Sequence, residues 1–366
     1  MRELLDDLAR FRRQGRRVAV ARVVDLEGSG PRDPGAAMAV ADDGEVVGSV
    51  SGGCVEGAVV EAALESLASG KRAIHTFGYS DDEAFAVGLT CGGTIHLFLE
   101  PHDDGLVVDT LATAVRAGIP VALATIVSGP RAGAKLLVRP GEEPMGSLGD
   151  PDLDRVVARD AESGLASGTT GVRRYGAHGE ALADEVGVFI ESFVPPPKML
   201  IFGAVDFTAA LVRVAKVLGY EVTVCDARPV FATKKRFPFA DEVVVDWPHR
   251  HLEAVGAGLT PRDAVCILTH DAKFDVPAVV AALATDVGYI GVMGSRRTHD
   301  DRLRRLKEAG VDDAGIARLH SPIGLDLGAR TPEETAISIC AELLADRTGR
   351  ETIRPLRESQ GPIHGA

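Results

Sequence analysis

Short apolar runs alternate with helical patterns along the C-terminal half of the chain. The apolar runs lie in KMLIFGAV, YEVTVCDAR, DEVVVDW, DAVCILTH and GYIGVMG, with IARLHSP as a weaker sixth. Most are separated by segments such as TAALVRVAKVLG, in which apolar residues recur three and four positions apart. Strands that alternate with helices in this way predict a doubly wound parallel sheet.

The N-terminal half alternates less regularly. The segments RRVAVARVVDLEG and AAMAVADDGEVVGSVS predict strands around a turn at Asp42 to Gly44, and CVEGAVVEAALESLASG predicts an amphipathic helix. Residues 106–194 add two helical patterns and several strands, including VGVFIESFV. These patterns predict a mixed α/β domain, and no repeat of fixed period is evident.

Three consecutive prolines, Pro195 to Pro197, mark the clearest linker, because such a run continues neither a helix nor a central strand. We therefore predict one domain over residues 1–194 and a second over residues 195–366. The last helix should begin at TPEE, where Thr331 is the N-cap and Glu334 completes a capping box.

Composition excludes several classes of protein. The formal net charge of -13 and the lack of a long basic run argue against a nucleic-acid partner. The N-terminal residues lack the apolar core of a signal peptide, and no apolar run reaches the roughly 18 residues of a membrane span, so we expect a cytoplasmic protein. The five cysteines include no CxxC pair, which predicts reduced thiols and neither a disulfide framework nor a zinc site.

One cysteine stands where packing alone gains little from it. In GSVSGGCVEG, Cys54 follows Gly52 and Gly53 at the predicted start of a helix. Unsatisfied amides at a helix start favour the thiolate form, and glycines let a ligand approach the backbone closely. The alternative is a small buried apolar residue beside a tight turn.

Two further segments of the N-terminal half support a ligand site. GLTCGGTIHLFLE places Cys91 beside Gly92 and Gly93, a second cysteine flanked by glycines. In GSGPRDPGAAM, Arg32 lies between two prolines, a rigid presentation that suits a phosphate or carboxylate. A solvated turn explains Arg32 equally well.

The C-terminal half carries an incomplete dinucleotide fingerprint. GAVDFT keeps Gly203 after the first strand but has Val205 where the second glycine of G-x-G-x-x-G belongs. Asp226 ends the second strand, where an acid can bind a ribose hydroxyl, although an aspartate there is also an ordinary turn residue. These residues leave NAD(P) binding doubtful.

Other loops of this half follow predicted strands, at the edge where open parallel sheets bind ligands. They are THDAKFD, GSRR and HSPIGLDLG. In GSRR, Ser295 and Arg296 precede a helix, so a hydroxyl, a cation and backbone amides could hold an anion together. A solvated helix start is the competing interpretation.

Together, the segments GSGPRDPGAAM, GSVSGGCVEG, LTCGGTIHLFLEP, VPPPK, THDAKFD, GVMGSRR and HSPIGLDLGARTPEETAISICAEL resemble the xanthine dehydrogenase accessory factor family, XdhC/CoxI. The resemblance runs from the first strand to about residue 348. It implies a two-domain cytoplasmic homodimer with a cysteine-bearing N-terminal domain and a Rossmann-like C-terminal domain.

The resemblance also implies a function. Members bind molybdenum cofactor, protect it during sulfuration by a cysteine desulfurase, and deliver it to the apo form of a molybdenum hydroxylase such as xanthine, aldehyde or carbon monoxide dehydrogenase. Cys54 and Cys91 are the positions that it favours for cofactor binding. The chain departs from the family pattern GAGHV at Val205 and Asp206. An NAD(P)-dependent oxidoreductase and a persulfide sulfur-transfer protein remain the alternatives.

Overall fold

The structure, a computed structural model, describes residues 1–28, 30, 32–78, 93–103, 105–181, 183–269, 271–350 and 352–358. The chain forms two compact units. The first comprises Met1–Pro195 and the described residues from Pro355 onward, and the second comprises Pro196–Arg354. The change from one unit to the other falls within the triproline segment.

The first unit contains two lobes. Lobe A consists of α1 (Leu5–Arg13), β1 (Val18–Glu27), β2 (Ala37–Ala41), β3 (Val46–Gly48), α2 (Glu56–Ser69), β4 (Ala73–Phe77) and β5 (Thr94–Pro101). Lobe B consists of α3 (Leu106–Arg116), β6 (Val121–Ser128), β7 (Lys135–Val138), β8 (Met145–Gly146), α4 (Pro151–Ser167), β9 (Gly171–Tyr175) and β10 (Val186–Phe193).

Each lobe is built on an antiparallel sheet. The strand order is β3-β2-β1-β5-β4 in lobe A and β8-β7-β6-β10-β9 in lobe B. The mixed α/β prediction for this half is confirmed. The first unit nevertheless contains an internal repeat that no fixed period revealed, because the two lobes have the same order of elements and the same strand order.

Helix α2 packs on the sheet of lobe A through one face. Its buried residues include Val59, Ala63 and Leu67, which recur at four-residue spacing, as an amphipathic helix requires. The helix ends at Gly70, whose φ of 71° is the left-handed cap conformation that glycine adopts without strain. The helix that follows the Cys54 segment is thereby fixed on the sheet.

A buried cluster of charges lies between the lobes. Arg22 of β1 is fully buried and donates to Glu100 of β5 at 2.5 Å, and its guanidinium also lies 3.7 Å from the carboxylate of Glu191 of β10. Lys135 of β7 donates to the other oxygen of Glu100 at 2.6 Å. Beside the cluster, an apolar core joins Val24 and Phe98 to residues of lobe B, which are Val127 and Phe189.

The second unit is an α/β sandwich around a parallel sheet. Its elements are β11 (Lys198–Phe202), α5 (Asp206–Val217), β12 (Glu221–Cys225), β13 (Glu242–Val244), α6 (Pro248–Val255), β14 (Ala264–Ile267), α7 (Ala272–Leu283), β15 (Tyr289–Val292), α8 (Arg296–Glu308), α9 (Asp313–Ala317), β16 (Leu319–His320) and α10 (Pro332–Arg347). The strand order is β13-β12-β11-β14-β15-β16.

This order confirms the doubly wound, Rossmann-like prediction for the C-terminal half. Strand order reverses between β11 and β14, and the loops after these strands meet at the edge where such sheets bind ligands. The predicted capping box is also present, because Thr331 accepts the amide of Glu334 and Glu334 accepts the amide of Thr331. Of the helices described, none is long and apolar enough to cross a membrane.

Candidate functional site

Cys54 lies in the loop between β3 and α2 of lobe A. The helix begins at Glu56 with Val55 as its N-cap, so Cys54 precedes the helix instead of lying in its first turn as the pattern predicted. Val50 and Val55 are fully buried, and the half-buried Cys54 packs against the same apolar core. The loop is therefore anchored on both sides of the cysteine.

Glu56 stabilises this loop by accepting several of its hydrogen bonds, and this role was not predicted from the sequence. Its carboxylate accepts the hydroxyl of Ser49 at 2.6 Å, the hydroxyl of Ser51, and the amides of Ser51 and Gly53 at 2.9 Å. It also accepts the amide of Val55 at 3.2 Å. The signal was available in the sequence, since serines followed by an acid at a helix start commonly form caps.

These contacts keep Glu56 ionised. Partial burial opposes ionisation, but the hydrogen bonds from Ser49 and Ser51 outweigh it and lower the pKa of Glu56 to about 2. The serine hydroxyls also accept backbone amides, that of Ser49 from Gly52 and that of Ser51 from Cys54, both at 2.9 Å. The loop amides from Ser51 to Val55 are therefore satisfied within the loop, and in this conformation none is left over to bind a phosphate.

The two glycines leave the backbone beside Cys54 open. Gly52 and Gly53 have φ of 76° and 121°, which a residue with a Cβ rarely adopts. A Cβ placed on either glycine would meet no atom within 4 Å. Glycine at these positions is therefore explained by the backbone conformation of this loop and not by packing, and a ligand can reach this surface of the loop.

The structure supports the other site residues predicted in the N-terminal half less directly than it supports Cys54. Cys91 and Gly92 lie outside the described residues, and Gly93 is buried immediately before β5. Arg32 donates to Glu3 at 3.2 Å and lines a cavity of about 470 Å³ together with Glu191. None of the residues from Ser49 to Glu56 lines that cavity, so the structure does not bring Arg32 and Cys54 into one pocket.

In the second unit, the first strand ends at a tight turn. Gly203 has φ of 112°, and a Cβ there would lie 3.1 Å from the backbone nitrogen of Thr269 in the loop after β14. Val205 is the N-cap of α5 and has no side-chain cap hydrogen bond. The glycine is thus explained by the close approach of two loops, without any ligand.

Asp226 directly follows β12, as predicted, but its carboxylate is already hydrogen-bonded within the protein. It is buried, and its carboxylate accepts the amide of Ala204 at 2.8 Å and the amide and guanidinium of Arg228 at 2.7–2.9 Å. Burial opposes ionisation, yet these contacts lower the pKa of Asp226. A ribose hydroxyl would have to displace Arg228 to reach the carboxylate.

A buried polar network lies behind the GSRR loop. Ser295 caps α8 by accepting the amide of Thr298 at 3.2 Å, and Arg296 is exposed at the start of this helix. About two turns further along α8, buried Arg302 donates to Asp275 at 3.1 Å and to Ser321 at 3.0 Å. This Asp275–Arg302 pair was not predicted from the sequence, because a charged residue within a helical pattern is usually exposed.

The chain offers no preformed metal site in its described part. No group of three or more His, Cys, Asp or Glu side chains is arranged there to hold a metal ion.

Similarity to known families covers both units. The model described as the XdhC and CoxI family matches residues 11–78 and 114–176, and the model described as the XdhC Rossmann domain matches residues 199–343. The two matched ranges of the first model fall in lobe A and lobe B respectively.

Individual relatives align with nearly the whole chain. A protein of Bacillus subtilis (strain 168), named as a probable xanthine dehydrogenase subunit, is 26% identical over 335 residues, which are 90% of this chain and 92% of that protein. The molybdenum cofactor insertion chaperone PaoD of Escherichia coli (strain K12) is 26% identical over 337 residues, covering 92% and 86%.

A solved structure supports the same assignment. The crystal structure of a xanthine dehydrogenase from Bacillus halodurans is 28% identical, covers 97% of this chain and 98% of its own, and has a TM-score of 0.68. The family models, the relatives and this structure agree over both units. The chain therefore belongs to the XdhC and CoxI family.

Proposed function

We propose that this protein is a maturation factor for a molybdenum hydroxylase of the xanthine, aldehyde or carbon monoxide dehydrogenase type. It binds molybdenum cofactor as cargo, protects the cofactor while a cysteine desulfurase supplies the sulfur for its sulfuration, and delivers it to the apoenzyme. Support comes from the relative named as a molybdenum cofactor insertion chaperone, which aligns with 92% of this chain.

The Cys54 loop carries the proposal. It presents a half-buried thiol next to an open backbone surface at Gly52 and Gly53, and the hydrogen bonds of Glu56 fix its shape. Thiolates are soft ligands that suit a molybdenum–sulfur centre. A preorganised loop loses little conformational entropy on binding, which favours retention of a cargo.

Other predicted residues contribute to the proposal to different degrees. Cys91, Gly92, Gly93 and Arg32 are proposed as further cofactor contacts of the first unit. In the second unit, Ser295 and Arg296 are suited to an anionic group. Gly203 and Asp226 are weaker candidates because neighbouring protein groups already occupy their surroundings, so NAD(P) stays doubtful. A cytoplasmic homodimer is part of the same proposal.

A binding experiment tests the function directly. Purified protein is incubated with molybdenum cofactor under anaerobic, reducing conditions, and retained pterin is measured after gel filtration for the wild type, Cys54→Ala and Cys91→Ala. Asp152→Ala, a change at an exposed position of lobe B, is the matched control. We expect retention by the wild type and the control and at least a tenfold loss in Cys54→Ala. Equal retention by all four proteins would refute a role for the thiols.

The sulfur-transfer alternative has its own test. The protein is incubated with a cysteine desulfurase and cysteine, and the peptide containing Cys54 is examined by mass spectrometry. An added sulfur atom on this peptide would make Cys54 a persulfide carrier, whereas an unchanged mass with intact cofactor retention supports the binding role.

A further inference from the structure

The two lobes of the first unit correspond strand by strand. Arg22 on β1 faces Ala37 of β2 and Phe98 of β5, and the same position on β6, Thr125, faces Lys135 of β7 and Phe189 of β10. The sequences VAVARVV and VALATIV occupy the two central strands, and LFLE and VFIE occupy their partners. The two sheets therefore correspond in the residue-by-residue pairing of their strands as well as in their topology.

The correspondence between the lobes extends without a gap through the Cys54 loop and the helix that follows it. Residues 48–70 read GSVSGGCVEGAVVEAALESLASG, and residues 146–168 read GSLGDPDLDRVVARDAESGLASG. The two segments end at Gly70 and Gly168, which terminate α2 and α4 in the left-handed conformation with φ of 71° and 67°.

The first glycines of the two segments also share an unusual environment. Gly48 and Gly146 have φ of 80° and 93°. A Cβ on either would lie 2.4 Å from a carbonyl oxygen, that of Ala37 or that of Lys135, and these two residues are themselves counterparts in the strand register. Convergence of two unrelated loops on such a detail is implausible, whereas duplication explains it.

Both loops contain the same serine and carboxylate pair, which we call the latch. In lobe A, Ser49 donates to Glu56 at 2.6 Å, and in lobe B, Ser147 donates to Asp154 at 2.7 Å. Each carboxylate also accepts a loop amide, from Ser51 in lobe A and from Leu148 in lobe B. The latch is present where there is no cysteine, so it belongs to the fold.

Six residues separate the latch partners in each loop, and apart from conservative changes the loops differ at Ser51, where lobe B has Gly149, and at the three positions that follow. In lobe B these are Asp150, Pro151 and Asp152: Asp150 caps α4 by accepting two amides at 3.0 Å, and Pro151 opens the helix. Their counterparts are Gly52, Gly53 and Cys54. Because α2 begins only at Glu56, the counterpart of Asp154, lobe A lacks the first turn that α4 has.

We infer that the first unit arose by duplication of one lobe, and that Gly52-Gly53-Cys54, which stands in place of the helix cap and first helical residues of lobe B, determines ligand specificity in lobe A alone. The latch residues maintain the fold in both lobes. The ligand role of this turn rests on the function proposed above, and it predicts a thiol-bearing cargo loop in lobe A and none at the corresponding turn of lobe B. Lobe B is the thiol-free counterpart.

Exchange of the turns tests this inference in the full-length protein. One variant carries Ser51→Gly, Gly52→Asp, Gly53→Pro and Cys54→Asp, and the reciprocal variant carries Gly149→Ser, Asp150→Gly, Pro151→Gly and Asp152→Cys. The exchange of Ser51 and Gly149 is included because Gly149 has a φ of 101°. We expect the first to keep the thermal midpoint of the wild type, to gain circular dichroism at 222 nm, and to lose cofactor retention at least tenfold. We expect the new thiol of the reciprocal variant to react with iodoacetamide within about threefold of the rate of Cys54.

The outcomes separate this inference from the proposed function. If the wild type retains no cofactor but both variants show the expected helicity and alkylation, the duplication stands and the cargo role fails. If the first variant loses its cooperative unfolding, the turns are not interchangeable and the inference is overturned. A new thiol that reacts more than tenfold slower than Cys54 overturns it as well.

Discussion

Loss of the Glu56 carboxylate should loosen the Cys54 loop by an amount that the structure bounds. The variant Glu56→Gln keeps the size of the side chain but replaces one accepting oxygen with an amide donor. In one orientation this amide would face the Ser49 hydroxyl and the Ser51 amide, and in the other it would face the Ser51 hydroxyl and the amides of Gly53 and Val55. Fewer donors are then satisfied, and the fixed shape of the loop is lost.

The pKa of Glu56 sets the magnitude. A fall from 4.5 to about 2 corresponds to a ceiling of about 3 kcal/mol, because each pKa unit is worth about 1.4 kcal/mol. The side chain is partly exposed, and solvent screening reduces such contributions. We therefore expect Glu56→Gln to lower the free energy of unfolding of the first unit by about 1–2 kcal/mol.

The sign of the pH dependence follows from the direction of the shift. Because the pKa of Glu56 is lower in the folded protein, its stabilisation is complete above about pH 4.5 and is lost as the pH falls towards 2. Urea denaturation, followed by far-ultraviolet circular dichroism, should show a constant difference between wild type and variant at neutral pH that shrinks in this acidic window.

The lobe B latch supplies a matched control. Asp154→Asn changes the corresponding carboxylate, which accepts Ser147 and the amide of Leu148, and should leave hydrogen exchange of residues 49–56 unchanged. Glu56→Gln should accelerate exchange in that segment at least tenfold. Unchanged exchange in Glu56→Gln, or equal acceleration in Asp154→Asn, would show that Glu56 does not hold the cysteine loop.

Three further results are expected. Iodoacetamide at about pH 7.5 should modify Cys54 in the folded protein but spare the buried thiols of Cys225, Cys266 and Cys340, because burial raises their pKa. Peptide mass spectrometry would show which thiols are alkylated. Gly48→Ala should destabilise the first unit by at least about 2 kcal/mol, because the new Cβ would clash with the carbonyl oxygen of Ala37. Gly15→Ala, whose Cβ meets no atom within 4 Å, should cost only about 1 kcal/mol, and similar losses for the two variants in urea denaturation would contradict the predicted clash. Arg22→Met should cost about 3 kcal/mol because it breaks a buried ion pair, whereas the exposed Arg155→Met should cost less than about 0.5 kcal/mol, and equal midpoints would refute this.

The fold of the second unit could be predicted because its signals are local. Each strand there is a continuous apolar run, and the capping box at Thr331 and Glu334 lies within four consecutive residues. The engagement of Asp226 by Arg228 is nearly as local, but the same residues are equally compatible with a free carboxylate. Only the folded structure shows that the guanidinium of Arg228 contacts the carboxylate of Asp226 and occupies the space that a ribose hydroxyl would need.

The duplication could not be detected as a fixed period because the loops of the two lobes differ in length. Val18 corresponds to Val121, Gly48 to Gly146 and Glu100 to Glu191, so the spacing between counterparts decreases from 103 to 98 to 91 residues. The Glu56 latch was missed for a different reason. Its partners Ser49 and Ser51 are close in sequence, but they lie seven and five residues before Glu56, outside the three-residue spacing of a capping box.

The buried cluster of Arg22, Glu100, Lys135 and Glu191 has a consequence for how this protein can change over time. The two glutamates are counterparts, but the cations that neutralise them are not, since Thr125 replaces arginine in lobe B and Ala37 replaces lysine in lobe A. Glu191 of lobe B is paired with the N-terminal amine of Met1 and lies near Arg22, and Lys135 of lobe B is paired with Glu100 of lobe A. A substitution at any of these charges changes the charge balance of a site shared by both lobes, so the two lobes cannot vary independently there.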